Sequence, residues 1–390
     1  MNILIYSHAF APSIGGVETI VMTLARGLAQ APADEHGTQF DVTVATQTAA
    51  DSFDDRSLPF RVVRQLGFFK FLALMRRADV VHLAGPALLP LALSLFLRKR
   101  IVIEHHGFQT SCPNGQLLYE PTQSPCPGHF MAGRHTECLR CNARQGFFPS
   151  LKLWLLTFPR RSLAKRAAAN IMPTEWLAKE LHLPCAVAIR HGLEAIGEPA
   201  AATQSDDPVI AFQGRLVTTK GVRVLLDAAR LLQGKGLRFE LRIIGDGPER
   251  NSLEEHARKT ELGDSVRFCG ALEPAALERE LAEAAVVVVP SLGGEVFGLV
   301  VAENMLRGRA VVVSDLGAFT EVTGEAGLSF RTGDAGDLAQ QLERLLCDPT
   351  FRVDLGKSAR RRALECFGSQ RMIEEHLELY RRVVSGDRAC

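Results

Sequence analysis

Apolar residues recur along this chain with two alternating periods. Short runs dense in β-branched residues predict strands: NILIY, DVTVAT, DVVHLA, RIVIEHH, ANIMP, AVAIRHG, VIAFQG, FELRIIGDG, VRFCG, AVVVVP and AVVVSD. Between many of them lie stretches with helical spacing of their apolar positions, such as ETIVMTLARGLAQ, VRVLLDAARLLQGKG and ERNSLEEHARKTELG. Strands that are apolar on both faces and separated by amphipathic helices imply α/β architecture with parallel sheets covered on both sides. The strands are too many for one sheet. A break rich in Gly, Pro, Ala and acids at 192–208, GLEAIGEPAAATQSDDP, divides them. Two Rossmann-like domains are therefore expected, over residues 1–195 and 196–390, with parallel sheets facing across a ligand-holding cleft. The final helix is expected to pack back on the N-terminal domain.

The most apolar stretch, Val80 to Leu97, has the length of a membrane span. His82, Gly85, Pro86, Pro90 and Ser94 interrupt it, so it reads as a buried strand followed by an apolar helix. The first ten residues lack the basic region and cleavage site of a secretory signal. With 46% hydrophobic and 23% charged residues, the composition is that of a globular protein. The net charge of +1 advertises no nucleic-acid partner. Yet residues 1–195 carry 20 basic and 14 acidic side chains, and the remainder 25 and 30, so a basic half is joined to an acidic one. Nine cysteines without an export signal suggest a reduced, cytoplasmic setting.

Four glycine-containing turns follow strands: PSIGGVET (12–19), GRLVTTKG (214–221), GDGPE (245–249) and GGEVFGLVVAE (293–303). Each stands where a strand's carboxyl end meets a helix, the place where helix N-termini bind phosphate. None is a P-loop, and no G-x-G-x-x-G opens the first helix, which weighs against a dinucleotide dehydrogenase. Arg215 and Lys220 flank one turn with the charge a diphosphate needs. Further on, Glu295 and Glu303 stand eight positions apart. With a helix from Phe297 onward, its first amides point at a bound anion, Glu295 sits beside that anion near a sugar, and Glu303 lies about two turns deeper. A carboxylate accepts two hydroxyls at once, which suits sugar or ribose.

The run PSLGGEVFGLVVAENMLRGRAVVVSDLGAFTEV resembles the E-x7-E segment of family 4 retaining glycosyltransferases, which have the GT-B fold. GGVE near the N-terminus, GRLVTTKG and GDGPE resemble that family's landmarks in the same order, from Ile3 to about Tyr380. The resemblance implies transfer of a sugar from a nucleoside-diphosphate donor, UDP- or GDP-linked, to a glycan or lipid-linked acceptor in cell-surface polysaccharide or glycolipid synthesis. It implies that Gly15 and Gly16 approach the donor diphosphate and that Arg215 and Lys220 bind its charge. It also implies that Glu295 and the backbone of Phe297, Gly298 and Leu299 contact sugar and phosphate, and that Glu303 holds the ribose. The family's N-domain histidine corresponds to His106 in IVIEHHGFQTSCPNG, with Gly107 in place of the usual Asp and His105 as a competing candidate. The usual N-G-[VI]-D is here His191-Gly192-Leu193-Glu194, and the glycine pair after V-V-x-S-D is Gly317-Ala318. Front-side attack, with the acceptor proton passing to the departing phosphate, requires no general base. No Asp-x-Asp strand end is available to hold a divalent ion, so no metal cofactor is expected for catalysis. Two other classes fit the same architecture: a sugar-nucleotide epimerase, which would need an acid/base set beyond E-x7-E, and a non-catalytic sugar-nucleotide-binding protein.

Two further segments stand apart. Cys112, Cys126, Cys138 and Cys141 cluster in a Pro- and Gly-rich insertion at about 112–141, a CPNG…CLRC pattern that resembles a subset of these transferases. Four thiolates would close a tetrahedral structural zinc site, with His129 and His135 as substitute ligands and free thiols or a disulfide as the alternatives. Cys185, Cys269, Cys347, Cys366 and Cys390 read as core or surface thiols. Between Glu137 and Glu175 there is no acidic residue, while Arg140, Arg144, Lys152, Arg160, Arg161, Lys165 and Arg166 interleave with Phe147, Phe148, Leu151, Leu153, Trp154, Leu155, Leu156 and Phe158. This suits peripheral docking on an anionic membrane surface; a core-facing helix shortened by Pro149 and Pro159 is the alternative.

Overall fold

The computed structural model describes residues 1–32, 39–51, 53–194, 197 and 207–386. The break at 192–208 and Cys390 thus lie largely outside the described residues. The chain forms two compact units: Met1–Gln116, Gly128–Glu194 and Phe367–Cys390 make the first, and Leu117–Pro127 with Ala195–Cys366 the second.

The first unit is built on strands β1 (Asn2–Ser7), β2 (Asp41–Thr46), β3 (Arg61–Arg64), β4 (Val80–Ala84) and β5 (Arg100–Glu104). After a short antiparallel hairpin, β6 (Leu118–Tyr119) and β7 (Ser124–Pro125), which belongs to the second unit, come β8 (Ala169–Met172) and β9 (Ala186–Ala188). The sheet order is β3-β2-β1-β4-β5-β8-β9, and its pairings are parallel. Helices α1 (Gly16–Gln30), α2 (Phe68–Arg77), α3 (Leu88–Phe96), α4 (His135–Cys141), α5 (Phe147–Ala164) and α6 (Glu175–Leu181) accompany it. The Val80–Leu97 stretch is thus strand β4 followed by helix α3, and no described helix is long and apolar enough to cross a membrane.

The second unit carries β10 (Val209–Gln213), β11 (Glu240–Ile244), β12 (Val266–Gly270), β13 (Ala284–Val289), β14 (Ala310–Ser314) and β15 (Leu328–Phe330) in the parallel order β12-β11-β10-β13-β14-β15. Its helices are α7 (Val222–Gly234), α8 (Arg250–Lys259), α9 (Pro274–Glu283), α10 (Leu299–Leu306), α11 (Gly317–Thr323), α12 (Ala335–Cys347) and α13 (Pro349–Cys366). The chain then returns to the first unit as α14 (Ser369–Ser385), which packs on α1 and β4.

Both sheets are sandwiched, so their central strands bury both faces. All six residues of β13 are buried, and Phe212, Leu225, Leu241, Val286, Val312 and Leu342 share one core. The strands missing from the sequence reading are β3, β15 and the hairpin. β3 and β15 lie at sheet edges, where one side needs no strand partner and short runs such as RVVR and LSF suffice.

Three sequence expectations change. Helix α5 is not cut short by its prolines: it runs eighteen residues through Pro159. Pro159 and Leu155 are both exposed, so the carbonyl deprived of its donor lies on the solvent side rather than in the core. Helix α10 begins at Leu299, not Phe297, because Gly298 adopts a left-handed conformation (φ +93°) and caps a helix that starts at the next residue. Cys185, expected as a thiol, is disulfide-bonded; a lone cysteine's partner is set by the fold, which spacing does not show.

Helix α13 lies against α10 and β14 at Gly356, where an added Cβ would stand 2.2 Å from the Gly308 carbonyl oxygen. Backbone cannot yield as a flexible side chain does. Gly356→Ala is therefore expected to lower stability by about 1–3 kcal/mol in denaturant unfolding; unchanged stability would show that the helix is free to shift.

Candidate functional site

In the second unit the strand order reverses between β10 and β13, which leave in opposite directions at neighbouring carboxyl ends. Loops diverging at such a point leave a crevice for a ligand. The loop after β10 is GRLVTTKG and the loop after β13 leads to Glu295, so the reversal brings two of the sequence landmarks together.

The loops meet backbone to backbone. Gly221 (φ +65°) has its α-carbon so near the end of β13 that a Cβ would lie 1.9 Å from the Pro290 carbonyl oxygen. Gly245 (φ +135°) approaches the Gly214 carbonyl equally closely. Only glycine combines these dihedrals with this proximity. Main-chain hydrogen bonds seal the contacts: the Leu292 amide donates to Thr219 O (2.7 Å), and the Leu216 amide to Asp246 O (2.9 Å). GDGPE thereby supports GRLVTTKG from below. Thr218 Oγ1 also donates to Glu249 (2.5 Å).

On this frame Lys220 Nζ donates to Glu295 Oε1 at 2.6 Å, and Ser291 Oγ donates to the same oxygen at 2.8 Å. The pair is partly shielded, with side-chain exposures of 27% and 12%. Ser291 is in turn held through its carbonyl, which accepts from Ser314 Oγ at the end of β14 (2.6 Å). Lys220 and Glu295, 75 residues apart in sequence, thus form one fixed polar unit at the crevice. Arg215 lies exposed on the same loop. Gly298 precedes α10, so the positive end of that helix dipole directly follows the loop carrying Glu295.

Glu303 sits in the second turn of α10, about a quarter exposed. Burial pushes its carboxyl above the usual range, opposed by Arg307, whose guanidinium lies 3.9 Å away, and by a hydrogen bond with Gln213. Asn304 Nδ2 bridges Gln213 Oε1 (3.2 Å) and the Val300 carbonyl (2.8 Å), tying the helix to the end of β10. Ser291, Gln213, Asn304 and Glu249 escaped the sequence reading. Ser291, Gln213 and Glu249 stand at strand ends or in a glycine turn, and Asn304 beside Glu303 on α10; position alone was their signal.

The first unit carries the remaining predicted residues. Gly15 and Gly16 form the β1–α1 turn beside this sheet's own reversal between β1 and β4. A Cβ at Gly15 would meet the Glu18 carboxylate at 2.5 Å. His105 is fully buried, with Nε2 2.9 Å from Asn170 Oδ1. Burial draws its pKa down to about 4, so it is a neutral core group. His106 has 8% side-chain exposure and stacks on His191, ring centroids 5.2 Å apart. Its Nε2 lies 3.5 Å from Glu104 Oε2. Glu104 and His191 were not predicted; strand alternation places Glu104 on the same face as His82, because Ala84 pairs with Glu104 and His82 with Val102.

In the cysteine loop, Cys138 and Cys141 are buried on α4. Cys112 Sγ donates to Asn114 Oδ1 (2.9 Å), and Asn114 Nδ2 approaches Cys141 Sγ (3.6 Å). Cys126 belongs to the second unit. Within the basic segment, the Arg161 guanidinium is partly exposed and donates to the Leu181 and His182 carbonyls at the end of α6. A groove of about 740 Å³ between α1 and α14, lined by Arg26, Glu194 and Arg381 among others, contains none of the predicted residues.

Residues 198–362 match the family model for glycosyl transferases group 1, and residues 14–188 match that for glycosyltransferase family 4. Phosphatidyl-myo-inositol mannosyltransferase of Mycobacterium leprae is 30% identical over 260 residues, 64% of this chain and 67% of that protein. Its counterpart in Mycolicibacterium smegmatis is 33% identical over 248 residues, 62% of each chain. Glycogen synthase of Mycobacterium tuberculosis is 30% identical over 204 residues, so the matches span about half to two thirds of these relatives. Among solved structures, Anabaena HepE in complex with UDP and glucose aligns over 97% of this chain and 98% of its own, with TM-score 0.71 and 18% identity. Sucrose-phosphate synthase from Thermosynechococcus elongatus aligns over 99% and 100%, with TM-score 0.72 and 20% identity. Two doubly wound parallel sheets, glycine turns at the β10/β13 reversal and matches that together cover most of the sequence have one reading: the chain belongs to glycosyltransferase family 4, with the GT-B fold.

Proposed function

We propose that this protein is a retaining glycosyltransferase that moves a sugar from a nucleoside diphosphate to a glycan or lipid-linked acceptor, in cell-surface polysaccharide or glycolipid synthesis. The observation that carries the reading is the Lys220–Glu295 pair at the strand-order reversal, next to the start of α10. As the glycosidic bond breaks, negative charge grows on the departing diphosphate. Lys220, Arg215 and the opening amides of α10, from the Phe297–Leu299 segment, are the groups that meet it, and they need no reorganisation at that moment. Glu295 orients Lys220 and accepts from sugar hydroxyls, while Glu303 accepts from the ribose. Gly15 and Gly16 leave room for the diphosphate, and His106 serves as the sugar-side hydrogen-bonding group, because His105 is committed to Asn170. The acceptor proton leaves with the phosphate, so neither a general base nor a catalytic metal is invoked.

The cysteine loop is proposed to hold a structural zinc, with Cys112, Cys138 and Cys141 as its ligands from the first unit. The acceptor side is proposed to work at the cytoplasmic face of a membrane. Helix α5 is inverted relative to a core helix: Ser150 and Thr157 are buried, whereas Phe147, Phe148, Leu155 and Phe158 are 41–79% exposed. Arg144, Lys152, Lys165 and Arg166 are exposed along the same segment.

Incubation with a panel of UDP- and GDP-sugars, scored by nucleoside diphosphate release, identifies the donor. Arg215→Ala, Lys220→Ala and Glu295→Gln are each expected to cut turnover about a hundred- to thousand-fold with the fold intact; near-native turnover in all three would refute the site. For Glu303, the raised carboxyl means that ionisation costs folding free energy above its ordinary pKa. Glu303→Gln should therefore raise thermal stability at pH 7 to 8 while weakening donor binding. That stability gain should fade as the pH falls below the ordinary carboxylate pKa, where the native carboxyl is already protonated. A gain that persists at pH 3.5 to 4 would contradict this assignment. Co-sedimentation with liposomes should require anionic lipid and drop with Lys152→Glu plus Arg144→Glu, or with Phe147→Ser plus Phe148→Ser. Binding indifferent to both pairs would place the docking surface elsewhere.

A further inference from the structure

The first unit contains a buried polar cluster that the transfer chemistry does not use. Glu104, at the end of β5, has 0% exposure, as do His82 on β4 and His376 on α14. Their ligand-capable atoms all lie within 4.8 Å of one another. His82 Nε2 stands 3.2 Å from Glu104 Oε2. Yet four atoms here make no hydrogen bond with described residues: His82 Nε2, both oxygens of Glu104 and His376 Nε2. Each such buried orphan is costly, and a cluster of four facing one another calls for something between them.

The outer hydrogen bonds of the two rings say what that is. His376 Nδ1 lies 2.7 Å from the Met372 carbonyl oxygen, which can only accept. The proton is therefore on Nδ1, and Nε2 presents a bare lone pair to the cluster. His82 Nδ1 is engaged by the Tyr380 hydroxyl at 2.8 Å, leaving its Nε2 also turned towards Glu104. A fully buried carboxylate thus faces imidazole nitrogens whose far sides are each fixed by another group. That is how histidines are held when they bind metal: one ring nitrogen donates to a carbonyl or similar group, and the other is presented to the ion.

We propose that His82, Glu104 and His376 bind a divalent transition metal of the zinc class. Two imidazoles and a carboxylate form a nitrogen–oxygen set suited to such an ion. A tetrahedral ion with bonds of about 2.0–2.1 Å separates its ligands by about 3.3–3.4 Å. The His82–Glu104 spacing of 3.2 Å matches that edge better than it matches a charge-assisted hydrogen bond. The His82 and His376 ring planes are inclined by 42°, which lets their in-plane lone pairs meet. Glu104 also neighbours His106 and His191, but those rings are stacked at 22°, and lone pairs in near-parallel planes do not converge on one point. The ion would cross-link α14 to β4 and β5, fastening the returning C-terminal helix to the sheet of the first unit.

The test needs no donor sugar, so it stands or falls separately from the transferase reading. Full-length Cys138→Ser/Cys141→Ser protein, which disables the cysteine loop as a zinc site, is stripped with a chelator, reloaded with Zn²⁺ and measured by elemental analysis. One equivalent is expected to bind and to raise the thermal midpoint. Adding Glu104→Gln or His376→Gln to that background should abolish both effects, with circular dichroism confirming the fold. Loading with Co²⁺ should give visible ligand-field bands without thiolate charge transfer. Failure of the double-serine protein to bind metal would overturn the proposal, as would metal retained undiminished in the His376→Gln variant. His376→Gln keeps the test decisive if Glu104→Gln does not fold.

Discussion

The second unit depends on how closely its backbone segments approach at the carboxyl ends of β10, β11 and β13. At Gly221 and Gly245 the main chain lies against a carbonyl of a neighbouring loop, at a distance that leaves no room for a β-carbon. That proximity lets the Leu292 amide donate to the Thr219 carbonyl and the Leu216 amide to the Asp246 carbonyl. Those bonds fix the stems from which Lys220 and Glu295 project. The ion pair follows from the backbone, not the reverse: a partly shielded pair of this kind contributes little by itself, and its value lies in being preorganised. Ser291, hydrogen-bonded to Glu295 and held through its carbonyl by Ser314, extends the same rigidity to the next strand.

Much of this was legible in the sequence, because periodicity and turn chemistry report local geometry. Strand runs such as VIAFQG and AVVVVP stand where they were read, and the glycine turns do cap strand ends. The boundary of α10 was not legible: Gly298 serves as a left-handed entry to the helix, a choice fixed by the Phe319 ring packed against it. Nor was the course of α5. A proline inside an amphipathic pattern normally signals an end, and only the exposure of Pro159 shows why the helix continues. Nor were the partners of Arg161 legible: they are carbonyls at 181 and 182, and main-chain acceptors leave no trace in a sequence.

The histidine–glutamate cluster of the first unit shows a different limit. His82, Glu104, His191 and His376 lie on four separate segments, spread over nearly three hundred residues, and no spacing rule joins them. Half of the signal was nonetheless present. His82 and Glu104 are polar interruptions in otherwise apolar, doubly buried strands, and parallel register puts them on one face. A charged residue in such a strand needs a compensating group. The return of the final helix was expected; what no pattern could supply was the register of α14 that brings His376 and Tyr380 against that face.

The charge asymmetry of the chain also finds a physical account. The half that carries the Lys220–Glu295 site is the acidic one, with 25 basic against 30 acidic residues. A long-range field would therefore repel a diphosphate, though at physiological salt it fades within about 8 Å. Three of those acids are engaged in one network away from the crevice: Arg242 pairs with Glu240, Glu280 and Glu283, and Arg267 with Glu240 and Glu280. Their charge is spent along β11, β12 and α9. Anion recognition at the β10/β13 reversal is thus a matter of a few oriented donors at short range. The excess positive charge of the other half lies partly along α5, where it is exposed beside aromatic rings. One sign of charge serves local chemistry in the second unit, and the same sign serves an extended surface in the first, which is why the net charge of the whole chain says so little about either.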